Sequence, residues 1–219
     1  MASALKAYKG MGMEGSVARW YDRTTRKDMP EYKALAARIA AFTGPEASVL
    51  EVAPGPGLLS IELARHGLHV HAVDISKTFV EIARRNAADS DVKAQFELGN
   101  AAALPVEDAS MDFVVCRAAF KNFTEPVKAL AEMRRVLRPG GTALLGDMRR
   151  EVPVTEVRQY VNGLGVTLLN RWFMMLIFRG MLMKRAYPLE EIRRMIAEAG
   201  WTESRIEVAP LGFEAWMTK

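Results

Sequence analysis

Three short stretches hold residues whose types and spacing can do chemistry. Glu51-Val-Ala-Pro-Gly-Pro-Gly57 follows an apolar run that reads as a strand, and a glycine-rich turn there is where a nucleotide enters a strand–turn–helix unit. Pro54 and Pro56 lack an N–H and push the residues before them out of the helical region, so the loop is a poor cradle for a pyrophosphate. It suits a rigid turn that a ligand approaches closely, with Gly55 and Gly57 leaving room. A plain strand–helix turn is the alternative. Asp74, about twenty residues downstream, can accept both hydroxyls of a ribose, or cap the helix after it. Asn100, in Gly99-Asn100-Ala101, carries a donor and an acceptor and can read the edge of an adenine, or form a turn. Together these residues describe a pocket for a nucleoside that brings no pyrophosphate.

Such residues need elements that bring them to one edge. Val49–Val52 as a short apolar run, Leu68–Val73 by its alternation, and Val92–Leu98, Met111–Cys116 and Thr142–Gly146 read as strands. Between them, Leu58–His66, Ser76–Ala88 and Thr124–Leu137 have helical patterns, with Ser76 as an N-cap and Pro139-Gly140-Gly141 as the stop of the third. Two helices broken near Asp28–Pro30 precede the first strand. A helix over Pro188–Ala199 and a hairpin of Ile206–Ala209 with Phe213–Met217 close the chain. This alternation predicts an α/β fold with a parallel sheet covered on both faces, an antiparallel edge, and a ligand crevice at the carboxyl ends of the strands. The 219 residues suit one domain: a helical cap over 1–45, a cofactor-binding core over 46–147, a helical lid or interface insertion over 148–187, and a closing unit over 188–219.

In order and spacing these motifs resemble the class I S-adenosylmethionine-dependent methyltransferases. VLEVAPGPG is similar to their first motif, HAVDIS to the second, LGNAAALPVEDASMDFVVC to the third and fourth, and ALAEMRRVLRPGGTALLGD to the fifth and sixth. The likeness implies a Rossmann-like doubly wound sheet of order 3-2-1-4-5-7-6 and S-adenosyl-L-methionine as cofactor, with S-adenosyl-L-homocysteine as product. It places Glu51 at the loop or the methionine amino group, and Ala53, Gly55 and Gly57 along the methionine side. Asp74 falls at the ribose, Ile75, Asn100 and Ala101 round the adenine, and Arg117 near the cofactor carboxylate or the substrate. Tyr21, in Ala18-Arg-Trp-Tyr-Asp22, matches a segment that folds over the cofactor; a core position for Trp20 and Tyr21 is the alternative. The pattern departs at Ala53, where the family has glycine, and at Asn100, where it often has Asp. Ala118-Ala-Phe-Lys-Asn-Phe-Thr124 most resembles the ubiquinone/menaquinone-biosynthesis C-methyltransferases. That likeness implies that Lys121 and Asn122 orient an oxygen of the acceptor; a solvated loop charge is the alternative for Lys121.

Methyl transfer from a sulfonium mainly needs alignment and exclusion of water, so a dedicated base is optional. Cys116 is the one cysteine, and no His or acidic cluster has ligand spacing, so neither a metal site nor a disulfide is expected. The net charge of +4 and the lack of a basic face argue against nucleic acid. No leader-like apolar region is visible at the N-terminus, which makes the cytoplasm the expected location. Val166–Met183 holds thirteen apolar residues in eighteen, four of them methionine, but Arg171 and Arg179 interrupt it. It reads as a lid over a lipophilic acceptor, a homodimer interface, or a helix on a membrane surface. The expected function is methyl transfer to a small, lipophilic or aromatic acceptor by direct metal-free displacement. The alternatives are a prenyl-quinone-type C-methyltransferase, a non-catalytic cofactor-binding scaffold, and an NAD-type dehydrogenase, against which the loop prolines speak.

Overall fold

A computed structural model of the chain describes residues 8, 9, 12–163, 175 and 183–219. Its centre is a seven-stranded sheet made of β1 (Ser48–Val52), β2 (His69–Asp74), β3 (Ala94–Leu98), β4 (Met111–Arg117), β5 (Leu137–Met148), β6 (Glu203–Val208) and β7 (Gly212–Thr218). The strand order is β3-β2-β1-β4-β5-β7-β6. The first five strands run parallel, and β7 is antiparallel to both β5 and β6.

Residues along the central strands alternate between two buried faces, which is why those strands read as continuous apolar runs rather than as an alternating pattern. Val49, Phe113, Val115 and Leu144 pack under α2 (Met29–Thr43) and α3 (Leu58–Arg65), against Leu35, Ile39, Leu59 and Leu63. Leu50, Val52, Val114, Cys116 and Leu145 face the other way. They meet Leu130 and Met133 of α5 (Pro126–Val136), and Ile192 and Ile196 of the last helix. Further helices among the described residues are α1 (Gly15–Thr25), α4 (Lys77–Asp89), α6 (Val154–Gly163), one short turn at Met183–Arg185, and that last helix, α7 (Leu189–Glu198).

Local chemistry fixes the boundaries that matter for the site. Ser76 is the N-cap of α4, and its Oγ accepts from the Phe79 N–H at 3.1 Å. Between α1 and α2 the chain makes a single 3-10 turn at Arg26–Asp28, with Pro30 in the first turn of α2. The strand before Gly146 is longer than the sequence suggests. α5 stops at Val136, and β5 begins at Leu137, which pairs with Met111 before a register shift leads into Phe113↔Thr142. The Lys219 Nζ donates to the carbonyls of Arg135 at 3.0 Å and Leu137 at 2.6 Å and so covers the helix end. Among the described residues no helix is long and apolar enough to cross a membrane. The apolar segment 166–183 lies outside the described residues apart from Met175 and Met183.

Candidate active site

The carboxyl ends of β1, β2, β4 and β5 converge on one edge, and the expected residues sit there with different degrees of freedom. Asp74 ends β2 and is 5 % exposed. Its Oδ2 accepts from the Gly55 N–H at 2.9 Å and its Oδ1 from the Ser76 N–H at 2.8 Å. One carboxylate therefore staples the loop after β1 to the start of α4. Burial pushes its pKa up to about 6, against the lowering effect of those two N–H bonds. Glu51, also buried, accepts a hydrogen bond from the Ser60 hydroxyl of α3 and is pushed by burial up to about 7.

Ala53 sits in the left-handed region at φ +58°, where its Cβ is strained. Its N–H donates to the Val73 carbonyl at 2.8 Å, which ties the strained residue to β2. The two glycines differ. A Cβ on Gly57 would lie 2.9 Å from Ala83 Cβ and 2.9 Å from Phe96 Cε1, so its missing side chain lets the loop pack on α4 and β3. A Cβ on Gly55 would lie no closer than 3.9 Å, to Tyr21 Cε1, and this is the glycine beneath an aromatic ring. Tyr21 also packs edge-on against Phe79 with ring centroids 5.7 Å apart, whereas Trp20 is 57 % exposed.

Asn100 makes a turn: its Oδ1 accepts from the Ala102 N–H at 2.9 Å and its carbonyl from the Ala103 N–H at 2.9 Å. Ala101 and Ile75 are half-buried beside it and beside Asp74. Arg117 ends β4, pairs with Glu31, and lies 5.0 Å over the Tyr32 ring, so it connects that strand end to α2. Ala118, next in the chain, has φ +59°, the same strained conformation at the neighbouring strand end.

Lys121 is buried and is not a solvated loop charge. Its Nζ donates to Asp147 Oδ1 at 2.7 Å and to the Ala118 carbonyl at 2.6 Å, and its N–H donates to Asp147 Oδ2 at 2.8 Å. The Met148 N–H completes the set on Asp147 at 2.7 Å. The pair fastens the loop after β4 to the end of β5. Asn122, buried in the same 3-10 turn, accepts at its carbonyl from the Lys9 N–H at 2.6 Å.

Several residues of the site left little trace in the sequence. Glu14 accepts from the N–H groups of Lys77 and Thr78, both at 3.0 Å, and so covers the start of α4 from sixty residues away. Asn86 joins α4 to the cap by donating to Asp22 at 3.1 Å and to the Pro56 carbonyl at 3.0 Å. Tyr8 forms an antiparallel bridge with Phe123. Its hydroxyl, whose pKa burial raises, also feels Arg185, Tyr21, Asp74 and Asp147, which places it over the converging strand ends. Asp147 had one signal, an acid immediately after the fifth strand.

Known proteins resemble the part of the chain that holds the first five strands. Residues 50–145 match the family model described as a methyltransferase domain. A demethylmenaquinone methyltransferase of Deinococcus radiodurans is 39% identical over 112 residues, which are 50% of this chain and 46% of the relative. A ubiquinone biosynthesis O-methyltransferase of Xanthomonas campestris pv. campestris is 33% identical over 117 residues, 53% of this chain and 48% of the relative. The chain thus spans about half the length of these curated relatives. Among solved structures, a protein of Methanococcus maripaludis assigned as an S-adenosyl-L-methionine-dependent methyltransferase superposes with a TM-score of 0.76. It is 22% identical, and the match covers 96% of this chain and 95% of that one. A SAM-dependent methyltransferase of Aquifex aeolicus superposes at 0.63 with 19% identity, over 87% and 97%. At those identities the structures establish the Rossmann-like fold, with its expected strand order. The matched residues include Glu51, Asp74, Asn100 and Arg117.

Proposed function

We propose that the methyltransferase domain binds S-adenosyl-L-methionine and passes its methyl group directly to a small lipophilic or aromatic acceptor. Asp74 carries this reading: a buried carboxylate at the carboxyl end of β2, beside a loop whose two prolines deny N–H groups to a phosphate. In this role its oxygens take the two ribose hydroxyls in place of, or alongside, the backbone N–H groups they now hold. Asn100 and Ala101 flank the adenine and Ile75 lies against it, Gly55 lets the methionine portion approach, and Tyr21 closes over it with an aromatic face suited to a sulfonium. Ala53 and Gly57 shape the turn, and Glu51 holds it through Ser60.

The sulfonium supplies both the methyl group and its leaving group. The chain's task is then to align the acceptor and exclude water. Lys121 and Asn122 act by fixing the loop through Asp147 and Lys9, a positioning role supported by the bonds already made by the Lys121 amine. The names of the curated relatives favour a quinol-like acceptor as the first class to try.

Calorimetric titration tests the cofactor half. S-adenosyl-L-homocysteine should bind with a micromolar or tighter Kd while NAD gives no heat; the reverse result would restore the dehydrogenase reading. Turnover of radiolabelled S-adenosyl-L-methionine with phenols, quinols, thiols and amines tests the other half, and binding without turnover of any acceptor would favour a scaffold.

A further inference from the structure

Charge is unevenly distributed along this chain. Residues 157–189 contain Arg158, Arg171, Arg179, Lys184 and Arg185 and no Asp or Glu, and the residues before Glu14 contain Lys6 and Lys9 and no acid. These two segments hold more positive charge than the whole chain's net +4, so the remainder is net acidic. The structure brings the described parts of both segments together. Lys9 Nζ donates to the buried Tyr187 hydroxyl at 2.6 Å and lies 5.1 Å from the ring centroid. Arg185 lies two residues before Tyr187 and acts on the hydroxyl of Tyr8, the neighbour of Lys9. Arg150 donates from Nε to the Ala186 carbonyl at 2.8 Å, and with Met183 and Lys184 it lines an open hollow of about 510 Å³.

Among the described residues these cations make no ion pair, and the hydrogen bonds of Lys9 and Arg150 go to neutral groups. The described residues include every Asp and Glu of the chain, and among them none lies within ion-pair distance of Lys9, Arg150, Lys184 or Arg185. The adjacent Arg149 shows the contrast: it pairs with Glu156 and donates to the carbonyls of Ala209 and Pro210. A group of unpaired cations beside a half-buried tyrosine and a buried one raises the local potential and attracts an anion from outside.

We propose that Lys9 and Arg185, with Arg150 and Lys184 at the rim, form a cationic subsite for an anionic group, a carboxylate or a phosphate, on an aromatic or apolar acceptor. The inference rests on the methyltransferase reading for the word acceptor, but the subsite can be tested without turnover. Tyr8 and Tyr187 supply flat apolar surface for the body of the ligand, and the cations supply its orientation.

The test titrates the full chain, saturated with S-adenosyl-L-homocysteine, with 1-naphthoate and its uncharged twin 1-naphthamide. Naphthoate should bind at least about tenfold more tightly, with an advantage that shrinks at high salt. The double variant Lys9→Gln/Arg185→Gln should lose that advantage, Arg185→Lys should keep most of it, and S-adenosyl-L-homocysteine should bind all of these chains equally. Equal binding of the twins, binding of neither, or a preference that survives the double substitution would each overturn the subsite. Vesicles of phosphatidylcholine with phosphatidylglycerol form the second arm. Sedimentation with them, without any preference for naphthoate, would assign the charge to a lipid surface and also overturn it. Failure of S-adenosyl-L-homocysteine to bind the unaltered chain would instead overturn the methyltransferase reading.

Discussion

The two halves of the strand-end crevice are built differently. Beneath the ends of β1 to β3, loops are held by short backbone bonds to one buried acid, Asp74, and by Gly57, whose missing side chain makes room for Ala83 and Phe96. Beyond the ends of β4 and β5, the loop is held by a buried ion pair, and among the described residues Lys9, Arg150, Lys184 and Arg185 have no acid within ion-pair distance. The first half holds its acids, Glu51 and Asp74, in hydrogen bonds from its own loop and helix. The second half concentrates charge and aromatic surface, as suits one chosen partner among many small molecules.

The largest effect that would break this contrast lies in the ion pair. Lys121→Met leaves the buried Asp147 without a cation, held only by backbone N–H groups, which should cost about 3–5 kcal/mol of stability by denaturant unfolding, while Lys121→Met/Asp147→Leu should recover much of it. A loss of turnover without loss of stability would give Lys121 direct contact with the acceptor instead.

The next test uses pH on the cofactor half. Glu51 and Asp74 have folded pKa values of about 7 and about 6, above their ordinary 4.5 and 3.8. The stability they contribute is therefore present below about pH 4 and lost as pH rises through about 6 to 7. From these two groups, the cofactor-free protein should have a lower Tm at pH 8 than at pH 5. Glu51→Gln should flatten the trend; a Tm unaffected by that change would remove Glu51 from the account. Ligand binding should run the other way, since ionised Asp74 is the better acceptor for ribose hydroxyls. Affinity for S-adenosyl-L-homocysteine should fall by up to about tenfold per unit below pH 6.

The smallest effect concerns the strained turn. Ala53→Gly relieves a left-handed alanine and should stabilise the chain by up to about 1 kcal/mol, less the extra freedom that glycine gives the unfolded chain. A destabilised variant would show that the Ala53 methyl packs usefully.

The sheet was legible in the sequence because the central strands β1 and β4 are apolar runs, β2 and β3 alternate, and Ser76 before α4 and the turn before Gly212 mark boundaries. The end of α5 was read one residue long because Leu137, fully buried, satisfies a helix face and a strand face equally. In the site, Asp74 and the loop after β1 were legible because short local spacing carries them. Glu14 on the start of α4, Lys121 with Asp147, and Lys9 on Asn122 were not. Each joins residues between 26 and 113 positions apart, and no local periodicity encodes such a pairing.

The most direct test of the central claim compares S-adenosyl-L-homocysteine binding by calorimetry in the unaltered chain, Asp74→Asn and Asp74→Ala, each checked for folding by its melting curve. The account predicts an affinity loss of about a hundredfold for Asp74→Ala, with Asp74→Asn between the two because it keeps one acceptor oxygen. A folded Asp74→Ala chain that binds as tightly as the unaltered one would contradict it.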